Sequence, residues 1–351
     1  MARIKKGIVY LFVCLFLFVN FCKCKPEFSI NSDSEDFPVI YGLLNVADEK
    51  HYIKIFKSFL VEGNAYDVVD DIEKYSYINN IEVYLNEYDA KNKLIRQIPM
   101  DTTTEIPKDS GLFLYPTQFL YVTDAVLKKD YLYEIEVRDP LTKNIAKTKA
   151  PVAMPYGLVI KTPGSEIISI TDNPIEFKFF TGHNTATYQL LLKFYYSEQL
   201  FDNTIIQPKP VKWILGSIDA PNSSAGIEKS LKVSSGVVFF QKIAEQIKED
   251  PNVKRRYVDS LVLEVHSAGE DWGLYLQSNL PSTGINQDRL LYSNIVAYNS
   301  ETGDKKYAMG VFSSVGITYR KYDDLSKITG SKDSLINGRF TKRLLFADIR
   351  Y

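Results

Sequence analysis

Cysteine, histidine and tryptophan are scarce in this chain of 351 residues, at 3, 3 and 2. No cysteine occurs after Cys24, so no disulfide framework holds the body together, and its stability must come from burial. The histidines are His51, His183 and His266. None has a Cys, His or carboxylate at metal-ligand spacing, and no HExxH occurs, so no metal or other cofactor is expected. A GxSxG elbow, a phosphate-binding GxxxxGKS or GxxxxGKT loop and a dinucleotide-binding GxGxxG turn are all missing. Charge of one sign is also lacking: 42 Lys and Arg stand against 43 Asp and Glu, for a formal charge of −1. Without a basic footprint, nucleic acid is not an expected partner.

Aromatic residues, by contrast, are plentiful, with 24 Tyr and 20 Phe. Such a composition favours strands. At about 150 residues per domain the length suggests about two domains, each able to bury a core.

The N-terminus carries an address. Arg3, Lys5 and Lys6 precede an apolar run from Ile8 to Val19, the length of a signal-peptide core and short for a bilayer span. Cys22 and Cys24 follow directly, as in lipoprotein signals, where diacylglycerol is attached to the thiol and the chain is cut in front of it. Cys22 is the preferred anchor and Cys24 the alternative, although Phe21 stands where a small residue is usual. Cleavage before Cys22 removes Arg3, Lys5 and Lys6 and takes the formal charge from −1 to −4. The polar, acidic stretch after it then reads as a flexible tether between lipid and fold.

Period-2 alternation recurs along the body. Val39, Tyr41 and Leu43 share one strand face, Ile53 and Ile55 another, and Ile81, Val83 and Leu85 a third. Tyr131, Tyr133, Ile135 and Val137 alternate with Leu132, Glu134, Glu136 and Arg138, a pattern that predicts one buried and one mostly wet face. Residues 64–77 space Val68, Ile72 and Tyr75 at helical intervals, with Asn64 as cap. Pro151, Pro155 and Gly157 break the pattern and predict a boundary. Beyond it, strands are expected at Ile175–Phe179, Tyr188–Tyr196, Val211–Leu215 and Leu261–Val265. Serine-capped Phe240, Ile243, Ala244 and Ile247 predict an amphipathic helix stopped by Pro251, and Glu270 to Ser278 a second one.

The expected fold is therefore mainly β: an N-terminal immunoglobulin- or fibronectin-like sandwich and a second β-rich domain with short helices inserted. The segments are a leader over 1–21, a tether over 22–36, the sandwich over 37–150, a linker over 151–157, the second domain over 158–321 and a loosely packed tail over 322–351.

Candidate chemistry is thin. Adjacent carboxylates at Asp70-Asp71, Glu270-Asp271 and Asp323-Asp324 read as solvated faces rather than a glycosidase pair, which needs separation across a cleft. Each histidine reads as a surface or sheet-edge residue. Among the aromatics, Trp213, Trp272, Tyr195 and Tyr275 are candidates to stack on sugar rings or bases. Of these, Trp213, Trp272 and Tyr275 are the ligand-platform candidates, set against the commoner role of such residues in core packing. Tyr121, Tyr292 and Tyr298 lie near expected turns.

Several phrases combine distinctively: PVIYGLLN at 38–45, FLVEGNAY at 59–66, IPKDSGLF at 106–113 with Leu120-Tyr121, the run 133–150, YSNI at 292–295 and GVFSS at 310–314. On these the whole mature chain resembles cell-envelope lipoproteins of Bacteroidota-type bacteria with two β-rich domains. The resemblance implies a lipid-anchored place at the outer membrane, often beside transport or assembly partners, and transfers no catalytic residue. The leading expectation is a non-enzymatic binding or accessory subunit for an envelope protein; the second is a carbohydrate- or peptide-capturing lipoprotein of a nutrient transporter, and a hydrolase comes third. The second predicts an exposed row of Trp and Tyr. The third predicts that His183 or His266 meets a carboxylate and a hydroxyl.

Overall fold

The computed structural model describes residues 36–58, 71–108, 117–154, 168–170, 173–221, 224–279, 291–322, 328–329 and 331–347. The leader, both candidate anchors Cys22 and Cys24, and the tether up to residue 35 lie outside the described residues.

The chain is mainly β, with short helices between strands. The first half runs β1 (Pro38–Leu44), β2 (His51–Lys57), α1 (Ile72–Tyr75), β3 (Glu82–Tyr88), β4 (Leu94–Pro99), β5 (Asp101–Thr103), β6 (Leu120–Thr123), β7 (Leu132–Arg138) and β8 (Asn144–Pro151). It continues through β9 (Ile168–Ser169), β10 (Ile175–Phe180), β11 (Thr187–Leu200), β12 (Ile205–Ile206), β13 (Val211–Asp219), β14 (Glu228–Val233) and α2 (Val237–Gln246). Last come β15 (Val253–Ala268), α3 (Glu270–Ser278), β16 (Val296–Asn299), β17 (Lys305–Lys306), β18 (Met309–Tyr322), β19 (Ile328–Thr329) and α4 (Ser331–Ile336).

Two large sheets dominate. One follows the order β12-β11-β15-β18-β1-β2-β6-β5, with β13 also on β11, and the other β17-β16-β8-β7-β3-β4. The sandwich of the first half buries Ile40, Ile53 and Ile55 of one sheet against Val83, Leu85, Tyr133 and Ile135 of the other. The core of the second half lies between the β11–β15 face, the antiparallel β10–β14 pair and α2, around Phe177, Phe179, Tyr188, Leu192, Leu263 and Ile243.

Strand pairing runs across the expected division at 151–157. The first half of β18 pairs with β1 in parallel, from Val39↔Met309 to Leu44↔Ser314. Its second half pairs with β15, from Ala268↔Val315 to Leu261↔Tyr322. One strand thus belongs to both cores. β16 likewise pairs with β8, so the sandwich takes strands from the far end of the chain. The expected linker begins as a buried crossing: Val152 and Ala153 are fully buried, and Ser314 Oγ donates to Pro151 O and accepts from Ala153 N, both at 2.6 Å. Residues 155–157 lie outside the described residues. Alternation marks strands but carries no information on which distant strands pair.

The expected loose tail is also corrected. Tyr322, Leu335, Leu344 and Phe346 are buried in the second core, and Phe346 packs edge-on against Phe194 at 5.7 Å. Of the short helix or ordered loop expected over 64–77, residues 64–70, the proposed cap Asn64 among them, lie outside the described residues; Ile72–Tyr75 form a helical turn capped by Asp71, whose side chain accepts from Glu73 N. The helix near Phe240 ends at Gln246, four residues ahead of Asp250, and Ser235 Oγ accepts from Val237 N at its start. Finally, the wet face expected on β7 is largely closed. Glu134 and Glu136 are buried because the Asn86 amide donates to both, at 3.1 and 2.6 Å, and the Tyr88 hydroxyl donates to Glu134 at 2.9 Å. Buried acids persist where such partners satisfy them.

Candidate functional site

The three ligand-platform candidates part company. Trp213 sits on the inward face of β13, 6% exposed, and packs on Phe239 at 6.1 Å, so it is core and offers nothing to a ligand. Trp272 and Tyr275 stand three residues apart on α3, which places them side by side on one helix face. Their rings stack at 5.3 Å with 22° between planes.

The row continues onto the sheet. Tyr275 meets Tyr41 of β1 edge-on at 5.7 Å, with hydroxyls 3.4 Å apart, and Tyr41 stacks on Phe56 of β2 at 5.9 Å and 21°. All four rings are half-buried. Burial, then the hydrogen bond with Tyr275, pushes the Tyr41 phenol up to about 12, so it stays neutral and able to hydrogen-bond at physiological pH.

Local sequence explains why α3 lies there. Gly273 faces Thr187 of β11, and a Cβ at that position would run into the Thr187 hydroxyl; only glycine lets the helix settle on the sheet. Glu270 and Asp271 fill the first turn, where carboxylates suit the positive end of the helix dipole. The Tyr292 hydroxyl donates to Asp271 Oδ1 at 2.5 Å, and its pKa is raised by burial and by that carboxylate.

At its other end the row meets a small depression of about 100 Å³ beside Phe56, lined also by Lys54, Lys108 and Gln118. Lys54 donates to Gln118 Oε1 at 3.3 Å, and its pKa is lowered by burial and by Lys108 nearby. Four rings ending in amide and ammonium groups can bind by packing and hydrogen bonding.

The histidines divide differently. His51 is not a surface residue: it is buried, and its Nε2 lies 3.1 Å from Ala125 O. His266 meets the Glu264 carboxylate at 2.7 Å, and Lys193 donates to the same carboxylate at 2.5 Å. Burial pushes the Glu264 carboxyl up, and Lys193 with His266 outweighs it, leaving the pKa lowered. This pair stands on the sheet face opposite Leu263 and Val265, and no hydroxyl bonds the imidazole among the described residues. His183 joins Met154 through a backbone bridge. Among the described residues no group of three or more His, Cys, Asp or Glu is placed to hold a metal ion.

Tyr121 is buried in the sandwich, and Tyr298 lies on β16 beneath Lys147. The sequence singles out Trp272 and Tyr275 as platform candidates, whereas Tyr41 reads only as a strand residue and Phe56 carries no signal of its own. The alternation Val39–Tyr41–Leu43 against Ile40 and Leu44 was the available signal. Both series are apolar, so the pattern alone does not say which one faces inward.

No protein-family model matches the chain, and no curated protein matches it. Among solved structures, the chain is similar to the crystal structure of Dpr11 IG1 bound to DIP-gamma IG+IG2, at 9% identity, over 58% of this chain and 99% of that one, with a TM-score of 0.16. A likeness at that score carries no argument, and the architecture above rests on strand pairing alone.

Proposed function

We propose that this chain is a non-enzymatic cell-envelope lipoprotein, anchored at the outer membrane through Cys22, that acts as a binding subunit for an envelope protein partner. The observation that supports it is the row Trp272–Tyr275–Tyr41–Phe56. Trp and Tyr at the centre of a half-buried patch are the residues that dominate protein–protein binding energy.

The geometry of the rings favours a protein over a sugar. A saccharide platform needs bare ring faces on which a pyranose lies flat. Here Trp272 and Tyr275 cover each other, as do Tyr41 and Phe56, at 22° and 21°. What remains outward suits interdigitating side chains. The anchor reading rests on the leader and the cysteine position; no helix among the described residues is long and apolar enough to cross a membrane, which leaves strands untested.

Two experiments test this. A photo-crosslinking residue at Leu276, exposed on the same helix, captures a discrete envelope protein in living cells, and capture is lost in Trp272→Ala and Tyr41→Ala. Radiolabelled palmitate enters the wild type and Cys24→Ala but not Cys22→Ala. Label in none of the forms overturns the anchor. Crosslinks indifferent to both ring substitutions, with Trp272 fluorescence quenched by glycans instead, overturn the protein-partner reading in favour of nutrient capture.

A further inference from the structure

The hairpin that turns from β11 into β12 ends in apolar side chains that its geometry does not call for. Polar residues make the turn. Leu200 N donates to Thr204 O at 2.9 Å and Asn203 N to Leu200 O at 3.0 Å. Thr204 N donates to Asp202 Oδ1 at 2.8 Å, and the Gln199 amide donates to Asn203 Oδ1 at 3.2 Å. Asn203 takes the left-handed position at φ +69°, which Asn tolerates better than most residues. None of these contacts uses Phe201, Ile205 or Ile206. Phe201 is nevertheless 67% exposed, and Ile205 and Ile206 are 44% and 41% exposed. Turns that face water are ordinarily built from Gly, Pro, Asn, Asp and Ser.

Two features set this tip apart from a patch that a folded partner would cover. Ile205 and Ile206 are consecutive on β12, opposite Gln199 and Glu198 of β11, so they point to opposite faces of the ribbon. With Phe201 at the turn, the tip is apolar on both faces and at its end. A protein surface laid against it covers one face, whereas a bilayer surrounds it. The second feature is the backbone. The Leu200, Asn203 and Thr204 amides and the Leu200 and Thr204 carbonyls all find partners within the hairpin, which lowers the cost of taking the turn out of water.

Charged groups set the depth. The Asp202 carboxyl is held below its ordinary pKa by its bonds with Thr204, so it stays ionised and keeps to the polar side. Lys254 and Arg255 are exposed where β15 runs beside Gln199 and Leu200. Such long side chains lay their stems along apolar surface and keep the charge in water.

We propose that the β11–β12 tip dips into the surface of a lipid bilayer, with Phe201, Ile205 and Ile206 among the upper carbons of the acyl chains. Contact of this kind reaches about 5–10 Å into the boundary between head groups and chains and does not span the membrane. β12 is separated from β1 by β11, β15 and β18, so the contact is distinct from the aromatic row and independent of its protein partner.

A tryptophan at the tip tests it. Full-length Phe201→Trp is mixed with phosphatidylcholine vesicles whose acyl chains carry bromine at a shallow or a deep carbon, and the wild type supplies the Trp213 and Trp272 background. The added emission shifts to the blue and is quenched, more by shallow than by deep bromine. Leu141→Trp, at an exposed position in the turn between β7 and β8, is the control and is not quenched. Ile205→Ser with Ile206→Ser in the Phe201→Trp chain removes the quenching while thermal melting shows the chain still folded. Emission at position 201 that vesicles neither shift nor quench overturns the proposal, as does equal quenching at positions 201 and 141. A shift produced by envelope proteins in detergent but not by vesicles also overturns it and assigns the tip to a protein. Palmitate labelling reports the anchor and bromine quenching the tip, so each reading can fail without the other.

Discussion

Arg256 and Glu198 form an ion pair inside the protein, with Nε 2.7 Å from Oε1 and the Arg256 side chain 2% exposed. The two residues are cross-strand partners on β15 and β11. The remaining guanidinium nitrogens donate to Leu344 O at 2.8 Å and Lys248 O at 3.0 Å. One side chain thereby closes the end of α2, the long sheet and the C-terminal segment into a single unit. The backbone repeats the link, since Arg256 N donates to Leu345 O and Ala347 N to Arg256 O.

Replacing Arg256 by alanine is expected to cost about 3–5 kcal/mol, because Glu198 is left buried without its partner. Urea unfolding measures the loss. The same substitution frees the segment after Thr341, so trypsin cuts the native variant at Arg343 faster than the wild type. A cost under about 1 kcal/mol would mean that water replaces the guanidinium, and the clamp would be incidental.

Gly310 is the point at which β18 meets β1. Its φ is +116°, and a Cβ there would overlap the Ile40 backbone carbonyl. Gly310→Ala is therefore expected to destabilise by ~3 kcal/mol through combined strain and overpacking. Gly303→Ala is the control: φ is +77° but the surroundings are open, so only the backbone term of about 1 kcal/mol remains. Denaturation midpoints of the two variants should differ accordingly; equal midpoints would show that β1 shifts freely to accommodate the methyl group.

The contrast between these glycines indicates what the sequence could disclose. Local signals were legible: α3 spans Glu270–Ser278 as its spacing predicted, and Tyr188–Tyr196 lies within the 14-residue β11. The same alternation in Leu261–Val265 continues through a strand of 16 residues. Long-range facts were not. Nothing near Gly310 says that its neighbour is Ile40, some 270 residues earlier in the chain, and nothing near Arg256 says that Leu344 waits for it. Charge misled for the same reason, since Glu134 and Glu136 look wet until Asn86, 48 and 50 residues away, is brought against them. Trp213 is buried and Trp272 half-buried, a difference the sequence does not show because hydrophobic character is common to both, and only the packed neighbours distinguish core from surface.

Stability should depend on pH through His51. Burial lowers its pKa below the ordinary value of about 6.5, outweighing the Ala125 carbonyl contact and Asp48, which raise it. The unfolded chain then binds the proton first, so stability rises with pH through this range and is lost as pH falls below about 6.5. His51→Gln keeps a donor for Ala125 O and should flatten the curve between about pH 7 and 5.5. Glu87 and Glu264, whose pKa values are also lowered, add their loss only at more acidic pH. A slope unchanged by His51→Gln would assign the titration elsewhere.

The seat of α3 decides whether the aromatic row exists as a unit. Gly273 is buried against Thr187, and the methyl of Gly273→Ala has no room beside the Thr187 hydroxyl. In a helix interior, alanine is intrinsically the better residue by about 1 kcal/mol, so the helix itself should persist while its docking weakens. The expected result is a red-shifted Trp272 emission and loss of the Tyr275–Tyr41 contact at nearly unchanged helix content. Removing the obstacle should reverse it, so Thr187→Gly combined with Gly273→Ala is expected to restore the emission toward wild type. If Gly273→Ala alone leaves emission and partner capture untouched, α3 is not held by this contact, and the row does not depend on the glycine. If emission shifts and capture at Leu276 falls with it, the binding surface is the assembled row rather than the helix alone.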